Sequence, residues 1–305
     1  SRVGTGNIIG ISTAICLGGY GAVFWMWVIA IVGGASAFIE STLAQIYKKR
    51  GEHSSYGGPA YYIEAALNSR ALAVLFSMSL IATYGVGFNM LCAYNLQSTF
   101  IAYEFYNPET TPWVIGAVLA VFVAWCLLGG GKRIIRATST LVPIMGVIYI
   151  SVAFILAILH IDLIPGMLNS IFSEAFDFQA IFSGMAGSCM MYGIKRGLYS
   201  NEAGVGSAPN AAAAADVSHP VKQGLVQMLS VFIDTLLVCT ATAFMCLSSG
   251  IAPTPELAGA PYVQKALAVS MGGGAKVFIT VCMVLFAFTT LLLSFIHISE
   301  PTRPY

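Results

Sequence analysis

The sequence predicts an all-α, polytopic membrane protein of about eight spans, packed as one bundle. Three observations lead to this prediction. Hydrophobic residues make up 57% of the chain and charged residues 9%, with a mean hydropathy of +0.81, whereas soluble domains carry about 25% charged residues. Segments without Asp, Glu, Lys or Arg recur along the chain, and the first of them is 37 residues long. The chain also contains 31 glycines, and small residues let membrane helices approach one another closely.

The uncharged segments give eight candidate spans, because a spanning helix needs about 20 predominantly apolar residues. The seventh candidate contains one buried acid. The predicted spans are residues 3–18, 21–46, 71–102, 113–129, 135–160, 178–195, 221–249 and 275–295. Basic residues cluster between alternate spans, as in YKKRG (47–51) and GGGKRIIR (129–136). The positive-inside rule places these loops in the cytoplasm, and the first span then runs from inside to outside.

The composition argues against several classes of function. A net charge of +1 argues against a nucleic-acid partner. The seven cysteines show no CxxC or Cys/His ligand spacing, so we interpret them as packing residues. The four histidines are scattered between predicted loops, a span boundary and the C-terminal segment. A membrane-embedded enzyme would need a converging nucleophile and base, or metal ligands, so we expect no catalytic residues and no cofactor.

The segment VGTGN (3–7) places two glycines and an asparagine at the start of the first apolar run. Broken helices persist in a membrane only where something else satisfies the freed backbone groups. In transporters, the N-termini of half-helices face anionic substrate groups, and unwound carbonyls coordinate Na⁺. Thr5 and Asn7 could add side-chain ligands, which favours a functional break over a plain glycine packing motif.

A second interruption is predicted in the sixth span, at MYGIKRG (191–197). Gly193 and Gly197 flank two basic residues there. An interrupted helix five spans after the first is typical of an inverted repeat, although a GxxxG pattern alone more often marks helix packing. We interpret the following SNEAGVGSAPN (200–210) as a cytoplasmic turn, in which Asn201 and Glu202 are structural.

Two polar features lie deep in later spans. Asp234 lies 12 residues past Lys222, about 18 Å along a helix, where an ionisable group indicates function by default. A hydrogen-bonded structural aspartate is the alternative. Thr289 and Thr290 lie midway along the last span. Helical threonines often bond back to their own chain, but hydroxyl and carbonyl oxygens also suit a Na⁺ ion.

The C-terminal segment reads HISEPTRPY after an apolar run, without turn chemistry. It resembles the translation of a sequencing adaptor, so we expect residues 1–293 to form the transporter core and residues 294–305 to be a non-native tail. A genuine short cytoplasmic tail is the alternative. Since only two residues precede VGTGN, the chain would then be an internal fragment.

Several motifs together resemble the alanine/glycine:cation symporter family. They are GTGNIIGISTAICLGGYGAVFWMW, YGGPAYYI, GGGKRIIRATSTLVPIMG, YGIKRGLYSNEAGVGSAPN, HPVKQGLVQML, FIDTLLVCTATAF and FAFTTLL. The resemblance runs from about Val3 to Leu293, and SNEAGVGSAPN is its most specific part. It implies a LeuT-type bundle of 5+5 inverted repeats, truncated here to about eight spans because the last two core spans are absent.

The resemblance also implies a substrate site. The first span would supply Thr5, Gly6 and Asn7 to the substrate carboxylate or to Na⁺, and the sixth would supply Tyr192 and Gly193. In the third span many members carry a glutamine in a stretch like NMVQAN. Here the stretch reads NMLCAYN, with Cys92 near that position, which puts the amino-acid specificity in doubt.

The expected Na⁺ site lies between the first and eighth spans. The break would free carbonyl oxygens around Gly4 and Thr5, and Thr289 and Thr290 would add hydroxyls. Asp234 is the second candidate ligand.

We therefore expect Na⁺-coupled symport of a small neutral amino acid, alanine or glycine, by a monomer spanning the lipid bilayer of a bacterial or archaeal plasma membrane. The alternatives are another LeuT-fold carrier of amino acids or nitrogenous solutes, a channel, and an inactive fragment.

Overall fold

The computed structural model describes residues 3–51, 55–128, 130–176 and 187–299. Twelve helices in this part of the chain are α1 Gly6–Gly18, α2 Ala22–Ile46, α3 Pro59–Leu67, α4 Arg70–Ala102, α5 Thr111–Leu128, α6 Gly130–Leu159, α7 Ile164–Ala175, α8 Gly187–Asn201, α9 Ala208–Ala213, α10 Pro220–Leu247, α11 Ala260–Met271 and α12 Gly274–Ser299. A two-residue antiparallel pair, β1 (Lys49–Arg50) and β2 (Ser55–Tyr56), is a minor departure from the all-α prediction.

Five helical segments are long and apolar enough to cross a membrane. They are Ala22–Ile46, Arg70–Ala102, Thr138–Leu159, Pro220–Leu247 and Gly274–Ser294, and the shorter segments Gly6–Gly18 and Thr111–Cys126 are also apolar. These seven segments coincide with seven of the eight predicted spans. The structure therefore confirms a helical, polytopic membrane protein.

The sixth span differs from its prediction in position and in the place of its break. The predicted start, residues 178–186, lies outside the described residues. From Gly187 the helix α8 is continuous to Asn201, so the predicted interruption near Gly193 is wrong. The chain turns between α8 and α9, and the break of this span is therefore at residues 202–207.

Most of the segment SNEAGVGSAPN is buried, although Gly204 and Val205 are exposed. It forms the predicted turn, but this turn packs inside the bundle, and its cytoplasmic location stays a prediction. Ser200 and Asn201 form hydrogen bonds to Asp234 and Thr235, which lie midway along the 28-residue α10. Ser207 is fully buried. The segment therefore packs beside the middle of α10, and polar backbone next to the middle of a spanning helix needs protein partners.

Gly193 and Gly197 are packing residues. A Cβ at Gly193 would lie 2.5 Å from the carbonyl oxygen of Ala22, and one at Gly197 would lie 2.5 Å from Cγ2 of Ile29. Both glycines therefore let α8 lie directly against α2. This is the small-residue packing that GxxxG patterns provide in membranes.

Three helices contain a π-helical segment, which inserts an extra residue into a turn. The segments are Gly6–Gly10 in α1, Thr83–Phe88 in α4 and Ile233–Cys239 in α10. Such segments occur often at functional sites, because they re-aim side chains and free backbone carbonyls. They contribute Asn7, Tyr84 and Asp234 to the centre of the bundle.

Hydrogen bonds from the C-terminal end of α2 and the residues just after it stabilise the C-terminal end of the short helix α9. The Nε2 atom of Gln45 donates to the carbonyls of Ala212 and Ala215, and the Lys48 ammonium donates to Ala215 at 2.9 Å. The last carbonyls of a helix lack partners within it and attract positive charge. These contacts hold the second half of the sixth span against the end of α2.

Helix α12 continues to Ser299. The change in composition after Leu293 therefore does not end the helix. The side chain of Ser294 donates to Oδ1 of Asn89 at 2.6 Å. The assignment of residues 294–305 to a non-native tail stays a prediction.

We predict that Gly193→Ala lowers the thermal stability of the detergent-solubilised protein. The added methyl group would meet the Ala22 carbonyl, and overpacking of this kind costs about 1–3 kcal/mol. The measurement is the unfolding midpoint of the purified variant. The control is Gly116→Ala. Gly116 is exposed on a helix, and a Cβ added there would have no heavy atom of another element within 4 Å. Equal midpoints for the two variants would contradict the packing role of Gly193.

Candidate functional site

The start of α1, where the sequence predicts a break in the first span, is bridged by its own asparagine. Oδ1 of Asn7 accepts from the amide of Gly4 at 2.7 Å, and the amide of Asn7 donates to the Gly4 carbonyl at 3.2 Å. Helix α1 then begins at Gly6. A Cβ at Gly4 would lie 2.6 Å from Oγ1 of Thr290, and one at Gly6 would lie 3.0 Å from the Cα of Ser200. The two glycines thus bring the break directly against α12 and α8.

The break in the sixth span is closed in a similar way by Glu202. Its φ is +50°, and Gly204 and Gly206 follow with φ of +78° and +84°. Oε2 of Glu202 accepts from the hydroxyl of Ser207 at 2.6 Å and from that of Tyr84 at 2.7 Å. The carboxylate thereby spans the break and ties it to the π-helical segment of α4.

The carboxylate of Asp234 is fully buried between these two breaks. Oδ1 accepts from the Asn7 amide group at 2.8 Å, and Oδ2 accepts from the Ser200 hydroxyl at 2.9 Å. The Cys239 thiol lies 3.3 Å from Nδ2 of Asn7 and 3.2 Å from Oγ of Ser200. The prediction that Asp234 faces protein and has hydrogen-bond partners is confirmed.

The carbonyls that the π-helical segments of α1 and α10 free accept hydrogen bonds from side chains of the opposite helix. Nδ2 of Asn7 also donates to the Asp234 carbonyl at 3.3 Å. The hydroxyl of Thr242 donates to the Asn7 carbonyl at 2.8 Å and is itself 2.7 Å from the hydroxyl of Tyr149. A chain of buried polar groups therefore links α1, α6, α8 and α10.

A cavity of about 20 Å³ lies where the two breaks meet α4 and α12. A volume of this size holds about one water-sized group, so the bundle is closed around it. The lining contains backbone of both breaks, hydroxyl groups, one carboxylate and apolar side chains. The lining residues are Gly4, Thr5, Gly6, Tyr84, Phe88, Tyr199, Ser200, Glu202, Thr290, Leu293 and Ser294.

Four of the residues that the sequence predicted for the site line this cavity, namely Gly4, Thr5, Gly6 and Thr290. The hydroxyl of Thr290 donates to its own helix, at the Phe286 carbonyl, and can still accept or coordinate through a lone pair.

The other predicted residues have different surroundings. Asn7 and Asp234 bond to each other. The thiol of Cys92 is fully buried and donates to the Ala287 carbonyl at 3.6 Å, while Thr289 bonds back to its own helix. Gly193 packs on α2, and Tyr192 is half-buried against the apolar core.

Tyr199, Ser200 and Glu202 were missed by the sequence prediction of the site. Tyr199 OH lies 3.5 Å from Oγ1 of Thr5 and accepts from Nδ2 of Asn95 at 3.2 Å. The available signal was the polar SNEAGVGSAPN stretch itself. A sequence in which one charged residue lies among small residues is typical of a loop. Only the packing of this segment inside the bundle makes Glu202 part of a site.

The arrangement can bind both signs of charge. The N-terminal end of α1 at Gly6 carries partial positive charge, and the C-terminal end of α8 at Asn201 carries partial negative charge. Two carboxylates, Asp234 and Glu202, lie beside these ends. Within the described ranges, no group of three or more His, Cys, Asp or Glu residues is arranged to hold a metal ion. Hydroxyl and carbonyl oxygens of this kind suit a small monovalent cation.

Comparison with curated proteins identifies relatives along nearly the whole chain. The probable sodium/glutamine symporter GlnT of Bacillus subtilis is 45% identical over 293 residues, which are 96% of this chain and 60% of the relative. The amino-acid carrier protein AlsT of the same organism is 44% identical, over 96% of this chain and 62% of its own length. The sodium/alanine symporter AgcS of Methanococcus maripaludis is 39% identical, over 96% of this chain and 65% of its own length.

This chain thus spans less than two thirds of the length of these relatives. The sequence profile of the sodium:alanine symporter family matches residues 1–302. A match over nearly all residues, together with these relatives, establishes that the chain belongs to the sodium:alanine symporter family.

Proposed function

We propose that this chain carries Na⁺-coupled symport of a small neutral amino acid, alanine or glycine, by alternating access. The observation that carries the proposal is that two non-helical segments, residues 3–5 and 202–207, meet at a small polar cavity beside a fully buried aspartate. Broken helices at mid-membrane are the typical binding elements of secondary transporters. Since the chain covers 60–65% of the relatives named above, transport is proposed for the whole protein.

The proposed architecture is a LeuT-type 5+5 inverted repeat, of which residues 1–293 form the first eight spans. The proposal is supported by the non-helical segments 3–5 and 202–207, which in this architecture would occupy equivalent positions in the first and sixth spans of two five-span repeats. The proposed transport unit is a monomer.

The proposed substrate site lies at the start of α1. The backbone N–H groups of Thr5 and Gly6 are at a helix N-terminus, which favours a carboxylate. The cavity of about 20 Å³ is smaller than any amino acid, so α1 and its neighbours would have to separate to admit one, and alanine or glycine would need the smallest separation. The name of GlnT leaves glutamine as the second candidate substrate, which would need a larger separation of α1 and α4.

Two sets of oxygen atoms are candidates for the coupling ion. The first comprises the carbonyls of the break at Gly4 and Thr5 with the hydroxyls of Thr289 and Thr290. The second is the carboxylate of Asp234 with Oδ1 of Asn7. An ion bound by groups from two elements favours the conformation that brings those elements together, and thereby couples its gradient to substrate movement.

We predict that Asp234→Asn impairs coupling while preserving the packing of the site. The amide has nearly the same size as the carboxylate but attracts a cation less strongly. The Na⁺ concentration for half-maximal alanine uptake should rise about tenfold or more, equivalent to about 1.4 kcal/mol. Uptake would be measured in proteoliposomes that contain the full-length gene product. The control is Asp216→Asn, since Asp216 is exposed in a loop. An unchanged Na⁺ dependence would make Asp234 a structural residue only.

We predict that the double change Thr289→Ala and Thr290→Ala also raises the Na⁺ concentration for half-maximal alanine uptake. It removes the hydroxyl of Thr290, which lies against Gly4, and that of the preceding residue. A several-fold rise is expected in the same uptake assay. Thr83→Ala is the matched control, because Thr83 makes the same bond to its own helix but is exposed. If the double variant and the control behave alike, the ion binds elsewhere, and Asp234 becomes the stronger candidate.

A further inference from the structure

Among the described residues that line the cavity, Glu202 is the only one with a carboxylate. Its neighbours in that lining include Thr5 and Gly6, at the start of α1. The charge of this side chain therefore faces the same small volume as the N-terminus of a helix. A group that attracts cations and a group that attracts anions therefore line the same cavity.

The carboxylate is held in place by hydroxyl groups. Tyr84 donates from the π-helical segment of α4, and Ser207 donates from the end of the break, both to Oε2. Neutral donors orient a carboxylate without supplying a counter-charge. The second oxygen, Oε1, takes part in neither of these bonds and is available to a cationic group.

The backbone at Glu202 gives an independent indication that the side chain is required. A φ of +50° is uncommon for residues other than glycine, asparagine and aspartate. Two glycines with positive φ follow within four residues, so the break already uses glycine where only conformation matters. A residue that keeps a long acidic side chain in such a conformation is a candidate for function.

We propose that Glu202 receives the ammonium group of the transported amino acid, while the start of α1 receives its carboxylate. The proposal rests on the symport function proposed above and assigns the substrate's charged groups to residues. An α-amino acid carries both charges on one carbon atom, so its site must offer both kinds of partner within a few ångströms. Charge-assisted hydrogen bonds of this kind are about twice as strong as neutral ones.

The test is Glu202→Gln in the full-length gene product, reconstituted in proteoliposomes. Glutamine keeps the shape and an acceptor oxygen for Tyr84 and Ser207 but removes the charge. We expect the alanine concentration for half-maximal uptake, measured at saturating Na⁺, to rise at least about tenfold. The stabilisation of the protein by Na⁺ without amino acid, measured as a shift of the unfolding midpoint, should not change.

Glu256→Gln is the matched control, because Glu256 is exposed on the turn Pro255–Leu257 and lies outside this cavity. Both readouts should stay unchanged in this variant. An unaltered alanine dependence in Glu202→Gln would overturn the assignment. Loss of the Na⁺ effect in the absence of amino acid would also overturn it, because Glu202 would then be an ion ligand. Absence of Na⁺-dependent alanine uptake by the unchanged protein would instead contradict the symport proposal.

A second measurement uses the unchanged protein and does not depend on the folding of a variant. Carboxylates are labelled with a carbodiimide and an amine, and the labelling of Glu202 is followed by mass spectrometry. Alanine should slow the labelling severalfold. Propionate, which lacks the ammonium group, and Na⁺ alone should not slow it. Protection by either of these, or no protection by alanine, would contradict the proposal.

Discussion

The structure depends on the burial of one carboxylate at the centre of the bundle. An aspartate at a helix centre raises the free energy of membrane insertion by about 2.5–3.5 kcal/mol even on the lower scales. Asp234 therefore needs donors, and they come from Asn7 in the first span and Ser200 in the sixth. Because these donors reach it from two directions, α1 and α8 must both contact α10 at the same depth. The position of the two breaks follows from this requirement.

Glycines and π-helical segments make this convergence possible. Gly4, Gly6 and Gly193 lie where a Cβ would meet a neighbouring helix at 3.0 Å or less. The π-helical segments of α1 and α10 then free carbonyls at Asn7 and Asp234, and each carbonyl accepts a bond from a side chain of the other helix. In a membrane, where water does not compensate for lost backbone bonds, such mutual satisfaction allows an irregular helix to persist.

As a member of its family, the chain is an integral, multi-pass protein of the plasma membrane, and several of its buried polar groups surround Asp234. The two side chains that close the breaks, Asn7 and Glu202, are also polar groups of the site. A ligand that binds either of them would therefore change the geometry of a break. This dual use offers a physical route from ligand binding to helix movement, since a ligand shifts an equilibrium by its differential affinity for two states.

The sequence by itself determined the class of the protein and most of its spans. The break expected around Thr5 stays a prediction, since the described residues there show the start of α1 at Gly6. Composition and the lengths of uncharged segments are local properties, and the cost of burying charge in lipid makes them decisive. The motifs around SNEAGVGSAPN likewise indicated the family. The buried environment of Asp234 was predictable for the same reason, because a lone acid in an apolar run needs partners.

Only the tertiary structure decided where the sixth span breaks and which residues surround the cavity. From the sequence, Gly193 was predicted to lie at a helix break and Glu202 in a turn after the helix. In the structure Gly193 packs directly on α2 within a continuous helix. The helix ends instead before Glu202, in a segment that Asp234 and Tyr84 hold beside the middle of α10. Depth and neighbours are properties of the whole bundle, and a linear pattern of residue types does not contain them.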